Sequence, residues 1–364
     1  MPSQLPFDSR DPQVVRLCDL QPKQSADCFV LLVSKEKSKT RDGKPYYRVT
    51  LRDAKRATTS MIWSDSTFFP ECDSVWQPGQ FYKVRGRYQE TDFGPQFDLE
   101  KIRPVEPGDE SQGFRVGDLV PSTRFNVEEM FTELVSIASQ QITEVPLRKL
   151  VIDLLMEHQH EIRQIAAASK NHHAFTGGFL EHVLSVTRLA MQFADKYADY
   201  YPEMQPPLSK SLVAAGAILH DIGKIYELKY APSGSTYTAA GRLVGHIFIG
   251  RDMIRDKARS IPDLNPETLL RLEHIIISHQ SLPEWGSPIA PSTPEALLVA
   301  EADNLDAKFH ELAAALMVPP SPGEEFTSRD NPLRRAIFRG LAETGEQLAK
   351  TPSENADKKT KGEK

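Results

Sequence analysis

Two hydrophobic periods divide the chain. From about Val14 to Val105, short runs rich in β-branched and aromatic residues recur at 29–33, 46–51, 58–63, 81–88 and 97–99. Runs of this length and composition predict strands. Asp42-Gly43-Lys44-Pro45 and Gln77-Pro78-Gly79-Gln80 supply turns between them. Roughly five strands in one short span predict a small β-barrel.

The period then changes. Residues 106–125 carry Pro107, Gly108, Gly113, Gly117 and Pro121, which break any pattern and predict a linker. Asn126-x-x-Glu129 has the form of a helix start, and Met130, Leu134, Ile137 and Ala138 follow at helical spacing. Further helices are expected over 144–158, 160–169, 179–199, 209–221, 241–260, 266–280 and 293–316. Ser292-x-x-Glu295 with Pro294 marks the start of the last of these. The expected architecture is a multidomain α and β chain: an OB-like barrel (14–105), a linker (106–125) and an all-α domain (126–316). A loop and a C-terminal helix (317–349) follow, then a polar, Lys-rich tail (350–364) with the composition of a disordered segment.

Composition narrows the class. The chain of 364 residues is 40% hydrophobic, enough for two real cores. No apolar run reaches the length of a membrane span and the N-terminus lacks a signal-peptide pattern, so a cytoplasmic protein is expected. Cys18, Cys28 and Cys72 form no Cys-x-x-Cys pair and are expected to be reduced. The net charge of −6 conceals an asymmetry: residues 35–56 carry nine Lys/Arg and three Asp/Glu, a local +6 that leaves −12 elsewhere. A basic island on an acidic chain predicts a polyanionic partner.

The candidate chemistry lies in the helical part. Ala217-Ile218-Leu219-His220-Asp221-Ile222-Gly223-Lys224 ends an almost wholly apolar helix in an imidazole, a carboxylate and a cation. A carboxylate in that position needs a cation or several hydrogen bonds to offset desolvation. His182, His246, His279 and Asp303 each fall in another expected helix, and a bundle can converge such residues on a metal. Mixed imidazole and carboxylate donors suit Mn²⁺, Fe²⁺ or Zn²⁺, with Co²⁺ a further alternative. Taken singly, His246 reads equally as a first-turn surface residue and His279 as a helix-dipole partner. His274 is a lesser candidate, and Asp306 an alternative to Asp303. Asp221 has two oxygens and could bridge two ions, an arrangement suited to phosphoester hydrolysis. Lys224 would then contact phosphate, and His172 and His173 would border the substrate pocket.

In the barrel, Lys35, Lys37, Lys39, Arg41 and Lys44 surround the Asp42-Gly43 turn, with Tyr46, Tyr47, Trp63 and Tyr88 on adjoining strands. Positive charge beside aromatic faces suits single-stranded nucleic acid. Strand alternation means that Tyr46 and Tyr47 cannot both face outward.

His182, His220-Asp221 and Asp303, in that order, resemble the HD superfamily of metal-dependent phosphohydrolases. The longer strings His172-His173-Ala174-Phe175-Thr176-Gly177-Gly178-Phe179-Leu180-Glu181-His182, Gly245-His246, Ser278-His279 and Asp303-x-x-Asp306-Ala307-Lys308, behind an OB-like module, resemble the YhaM-type 3′-5′ exoribonucleases. The resemblance covers about residues 14–315. It implies a Mn²⁺-favouring enzyme that trims single-stranded RNA, and also DNA, from the 3′ end to nucleoside 5′-monophosphates. By position, His182, His220, Asp221 and Asp303 match the superfamily ligands, and His246 and His279 the extra histidines of its two-metal members. Gln280-Ser281 departs from the second His and the Gly that often follow in the family. A nucleotide phosphohydrolase acting on a dNTP, cyclic nucleotide or alarmone would leave the basic barrel unused. A non-catalytic single-stranded nucleic-acid-binding protein would leave the buried ligand set unexplained. A homo-oligomer is compatible with this arrangement.

Overall fold

The computed structural model describes residues 14–168, 173–321 and 323–341. Strands β1 (Ser25–Lys39), β2 (Pro45–Arg52), β3 (Ala57–Trp63), β4 (Phe81–Thr91) and β5 (Gly94–Pro104) close a barrel in the order β1-β2-β3-β5-β4. All pairings are antiparallel except β3 with β5, the single parallel closure. Alternate residues point inward, so Val30, Leu32, Val49, Leu51, Ile62, Val84, Phe97 and Ile102 fill the interior. A short helix α1 (Phe69–Ser74), absent from the sequence expectation, buries Cys72 beside the core residue Trp76.

β1 runs longer than its apolar core because Ser34–Lys39 continue to pair with β2 beyond a register shift at Leu32/Ser34. The basic turn therefore sits at the tip of the β1–β2 ribbon, which β3 flanks as far as Tyr46. Cys28 and Cys72 are buried, Cys18 is half-buried, and all three are free thiols.

The stretch expected as a linker is packed against the barrel. Two 3-10 turns (Pro107–Gln112 and Val116–Asp118) bury Asp109 in a bidentate pair with Arg103 at 2.6 and 2.7 Å. Leu119 and Val120 pack beside Phe29 and Leu31. The segment next meets the helical domain, where Thr123 N–H donates to the Thr176 carbonyl and Thr176 N–H to that of Pro121.

The helical domain comprises α2 (Val127–Gln141), α3 (Val145–Glu157), α4 (Gln159–Gln164), α5 (Gly178–Tyr200), α6 (Lys210–Leu219), α7 (Lys224–Glu227), α8 (Ala239–Leu243), α9 (His246–Ala258), α10 (Pro266–Ser278) and α11 (Pro294–Met317). A small hairpin, β6 (Leu228–Lys229) with β7 (Thr236–Tyr237), joins α7 to α8. α6 is buried from Ser211 to Leu219 and packs on α5, α10 and α11, as a helix apolar on all sides must. Asn126, Ser209 and Asn265 cap α2, α6 and α10. The cap of α11 is Thr293, one residue beyond the expected Ser292: its hydroxyl accepts from Ala296 N–H. Glu295 is fully buried, accepting from Ser209 N–H and Arg271.

One expectation changes at the C-terminus. The helix expected over 333–349 is not formed in its described part: residues 333–341 make turns and a bridge between Phe326 and Phe338. Arg339 there donates to the Ala315 and Leu316 carbonyls at the end of α11, satisfying acceptors that a helix terminus leaves open. Residues 342–349 and the 350–364 tail lie outside the described residues.

Candidate metal centre

α6 delivers His220 and Asp221 to the middle of the domain, and four other helices meet them there. His182 comes from the first turns of α5, His246 from the start of α9, His279 from the end of α10 and Asp303 from α11. Glycine permits the closest approach. A Cβ on Gly223 would overlap the His246 carbonyl oxygen and lie 2.6 Å from the Gly250 nitrogen, so only glycine lets α9 sit on the 220–223 turn. Gly245, at φ +80°, turns the chain into α9 immediately before His246.

Each histidine is oriented through Nδ1. His220 donates to the Ala217 carbonyl at 2.8 Å and His279 to that of Ile276 at 2.7 Å. His182 donates to Asp306 at 2.8 Å and His246 to Glu227 at 3.0 Å. All four rings therefore present Nε2 to the centre, the arrangement by which outer partners fix metal-ligand tautomers.

The Nε2 atoms fall into two groups around Asp221. His182 Nε2 lies 3.3 Å from His220 Nε2, 3.1 Å from Asp303 Oδ1 and 3.6 Å from Asp221 Oδ2; His220 Nε2 lies 3.4 Å from Asp221 Oδ2. On the other side, Asp221 Oδ1 is 3.4 Å from His246 Nε2 and 3.6 Å from His279 Nε2. Donors about 2.1 Å from a shared ion and 90–110° apart sit about 3.0–3.4 Å from each other. Both groups approach that spacing.

The polar accounting agrees. Asp221 Oδ1 and His279 Nε2 are buried without a hydrogen-bond partner, and two such atoms 3.6 Å apart on an imidazole and a carboxylate suit a shared ion. Burial opposes charge on His182, but hydrogen bonds with Asp221, Asp303 and Asp306 outweigh it and hold its pKa well above the ordinary value. Burial likewise works against the Asp221 carboxylate, yet Lys224 and His220 keep it well below the usual range. Asp303 is also held low, its burial offset by His182 and His220. The pocket keeps its carboxylates ionised and favours positive charge between them. The residues fit a divalent cation, and their two groups could hold a pair.

Several expected site residues stand differently. Lys224 is 8% exposed, with Nζ 2.6 Å from Asp221 Oδ2, so its charge acts first on that carboxylate. His173 is buried 3.4 Å from Asp306 and 3.6 Å from Glu181, and its ring lies tilted against that of His310, centroids 4.0 Å apart. His172 lies outside the described residues. His274 accepts from Ser292 N–H and takes no part in the centre.

Sequence reasoning assigned no role to Glu227 and ranked Asp306 only as a substitute for Asp303. Both are partners of ligand histidines, and Asp306 also accepts from the Ser185 hydroxyl. A usable signal was present: each lies three residues beyond a site residue, Lys224 or Asp303, and so shares its helix face. Asp306→Asn should weaken Mn²⁺ binding about 10- to 100-fold. Calorimetric titration checks this, and an unchanged affinity would show that the His182–Asp306 bond does not orient the ring.

On the barrel, Lys37, Lys39, Arg41, Lys44 and Arg48 are exposed, though Lys37 is paired with Asp73 at 2.8 Å. Lys35 folds inward and donates to the Cys72 and Trp76 carbonyls near the end of α1, which removes it from the exposed basic set. Tyr47 is only 5% exposed and donates to Asp73. Its alternation partner Tyr46 faces outward and meets Trp63, which is 46% exposed, with ring centroids 5.2 Å apart. Tyr47 is a core residue, contrary to its expected contact with nucleic acid, and Trp63 takes its place on the outer face.

Residues 179–308 match the HD domain family. A 3′-5′ exoribonuclease YhaM from Bacillus licheniformis is 32% identical over 316 residues, covering 84% of this chain and 91% of that protein. Among solved structures, the second OB-fold domain of replication protein A from Methanococcus maripaludis aligns at 17% identity over 26% of this chain and 96% of that one, with a TM-score of 0.21. RecG bound to a three-way DNA junction aligns at 11% identity over 53% and 40%, with a TM-score of 0.23. Scores this low bear on neither fold nor function. The match to the Bacillus enzyme, by contrast, spans barrel, connecting segment and helical domain together, and the chain belongs to the YhaM family of 3′-5′ exoribonucleases.

Proposed function

We propose that this protein is a metal-dependent 3′-5′ exoribonuclease that shortens single-stranded RNA, and DNA as a second substrate, releasing nucleoside 5′-monophosphates. One observation carries the reading: four histidines with tied Nδ1 atoms direct Nε2 at the two oxygens of a single buried carboxylate, Asp221. Two divalent ions, Mn²⁺ foremost, would be held by His182, His220, Asp221 and Asp303 on one side and by Asp221, His246 and His279 on the other. Bound there, they supply an acidified water for attack at phosphorus and charge compensation for the attacked and leaving oxygens.

The protein's own groups prepare that chemistry. Lys224 compensates Asp221 and stands next to the position of an attacked phosphate. Asp306 and Glu227 hold His182 and His246 in orientation. The ribbon carrying Lys39, Arg41 and Lys44 follows the strand's phosphates, while Tyr46 and Trp63 offer rings to its bases. Among the described residues no helix is long and apolar enough to cross a membrane, and a cytoplasmic location accords with an RNA substrate.

The test uses 5′-labelled RNA with a structured 5′ half and a single-stranded 3′ half, incubated with Mn²⁺. Stepwise shortening that stalls at the structure is expected. Intact RNA beside rapid loss of a free nucleotide would replace this reading with a nucleotide phosphohydrolase; tight binding without turnover would replace it with a binding protein.

The barrel's share is separable. Replacing Lys39, Arg41 and Lys44 with alanine should weaken RNA binding and flatten the slope of log K against log salt by about 2, at about 0.7 per lost phosphate contact. An unchanged slope, measured by fluorescence anisotropy from low to high salt, would remove the ribbon from the binding surface.

A further inference from the structure

The candidate ligands themselves give the direction of approach. The side chains of Asp303 and His246 are 16% and 12% exposed, whereas those of His182, His220, Asp221 and His279 are at most 2%. Solvent therefore reaches the centre beside Asp303 of α11 and His246 of α9. Among the described residues, the chain leaving α10 from Gln280 to Gly286 touches both of these helices. At its near end the Gln280 amide lies 3.2 Å from His246 Nε2. At its far end Lys308 of α11 holds its Nζ 5.4 Å from the centroid of the Trp285 ring.

This segment is tied by its own hydrogen bonds. Gln280 N–H donates to the Ser287 hydroxyl at 3.0 Å, and the N–H groups of Trp285 and Ser287 both donate to the Leu282 carbonyl. Gly286, at φ +113°, fits against Gln280 and Ile247: a Cβ there would stand 3.0 Å from Gln280 Oε1 and 3.7 Å from Ile247 Cδ1. Within this hydrogen-bonded connection Trp285 is 50% exposed, with Leu282 and Ile289 exposed as well. A large ring held open to solvent loses the stabilisation that burial would give it. Its place on the connection that reaches His246, beside the Lys308 ammonium of the helix that carries Asp303, supplies a use for that exposure.

We infer that Trp285 is the shelf on which the base of the strand's 3′-terminal nucleotide stacks, with Lys308 beside it to meet the adjoining phosphate. The inference rests on the exonuclease reading and deepens it. Stacking on one ring tolerates every base, because each has a π-face, and it sets the terminal phosphodiester next to His246 and Asp303. The open face of Trp285 receives the base, and Lys308 remains within reach of the backbone.

Two measurements test this. In metal-free buffer with chelator, where the strand stays intact, RNA carrying 2-aminopurine as its 3′-terminal base should be quenched on binding. The quench should be largely lost in Trp285→Ala and retained in Trp285→Phe, while 2-aminopurine placed well inside the strand responds alike in all three proteins. With Mn²⁺, Trp285→Ala should lower kcat/KM about ten-fold for RNA ending in adenosine and leave RNA ending in an abasic ribose within about two-fold of wild type. An unchanged terminal quench in Trp285→Ala would overturn the inference. So would an equal loss on both RNA ends, which marks a merely structural role. If the wild-type protein shortens no RNA but the terminal quench depends on Trp285, the exonuclease reading fails and the shelf stands.

Discussion

Asp221→Asn should abolish RNA shortening, lowering kcat/KM at least about 10³-fold, while the protein remains folded. The carboxylate oxygens stand at the junction of the two histidine groups, one facing His182 and His220 and the other facing His246 and His279. Loss of its charge removes the element common to both. Metal Lewis acidity is worth several kcal/mol at the transition state, and each 1.4 kcal/mol is tenfold in rate, which sets the lower bound. Asparagine keeps the shape and one carbonyl acceptor for Lys224. Asp221→Ala is the harsher change, because it leaves the Lys224 ammonium buried beside an uncharged space, at a cost of about 3–5 kcal/mol. The pair should therefore separate in thermal melts, with alanine clearly below asparagine, and coincide in activity. Measurable RNA shortening by Asp221→Asn at saturating Mn²⁺ would place the chemistry elsewhere.

Gly223→Ala should be among the most damaging substitutions that touch no ionisable group. The added methyl would overlap the backbone of His246 and Gly250, not the end of a flexible side chain. Relief requires α9 to move away from the 220–223 turn, which carries His246 off the centre and slackens its bond to Glu227. Overpacking of this kind costs about 1–3 kcal/mol, more when backbone must shift. At about 2–4 °C per kcal/mol for a domain of this size, the melting temperature should drop by roughly 5 °C or more, and the activity loss should exceed what the lost stability explains. An unchanged melt with full activity would mean that α9 is not held by this contact.

Much of the architecture was legible because local and global preferences agree. The strands of the barrel announce themselves by β-branched and aromatic runs between turn formers, and α6 by an unbroken apolar run that can only be central. The same run made His220-Asp221 conspicuous, since a carboxylate there must have a cationic partner. The structure gathers that pair with His182, His246, His279 and Asp303. What escaped depends on contacts between distant segments. Asp306 meets His182 across 124 positions, a separation no local pattern encodes. Alternation required one of Tyr46 and Tyr47 to face inward but did not say which; the structure buries Tyr47, and the end of α1 draws Lys35 in. The segment after Pro332 contains helix-forming residues, but its described part is spent on a bridge and on closing the end of α11. There tertiary partners outweigh intrinsic propensity.

The central claim, that one buried carboxylate organises two cations for phosphodiester hydrolysis, is most directly tested by counting Mn²⁺ bound per chain by isothermal titration. Two ions are expected in the wild type. One should remain in a variant with His246 and His279 both changed to alanine, and tight binding of either should vanish in Asp221→Asn. A single ion in the wild type, or two ions undisturbed by Asp221→Asn, would contradict it.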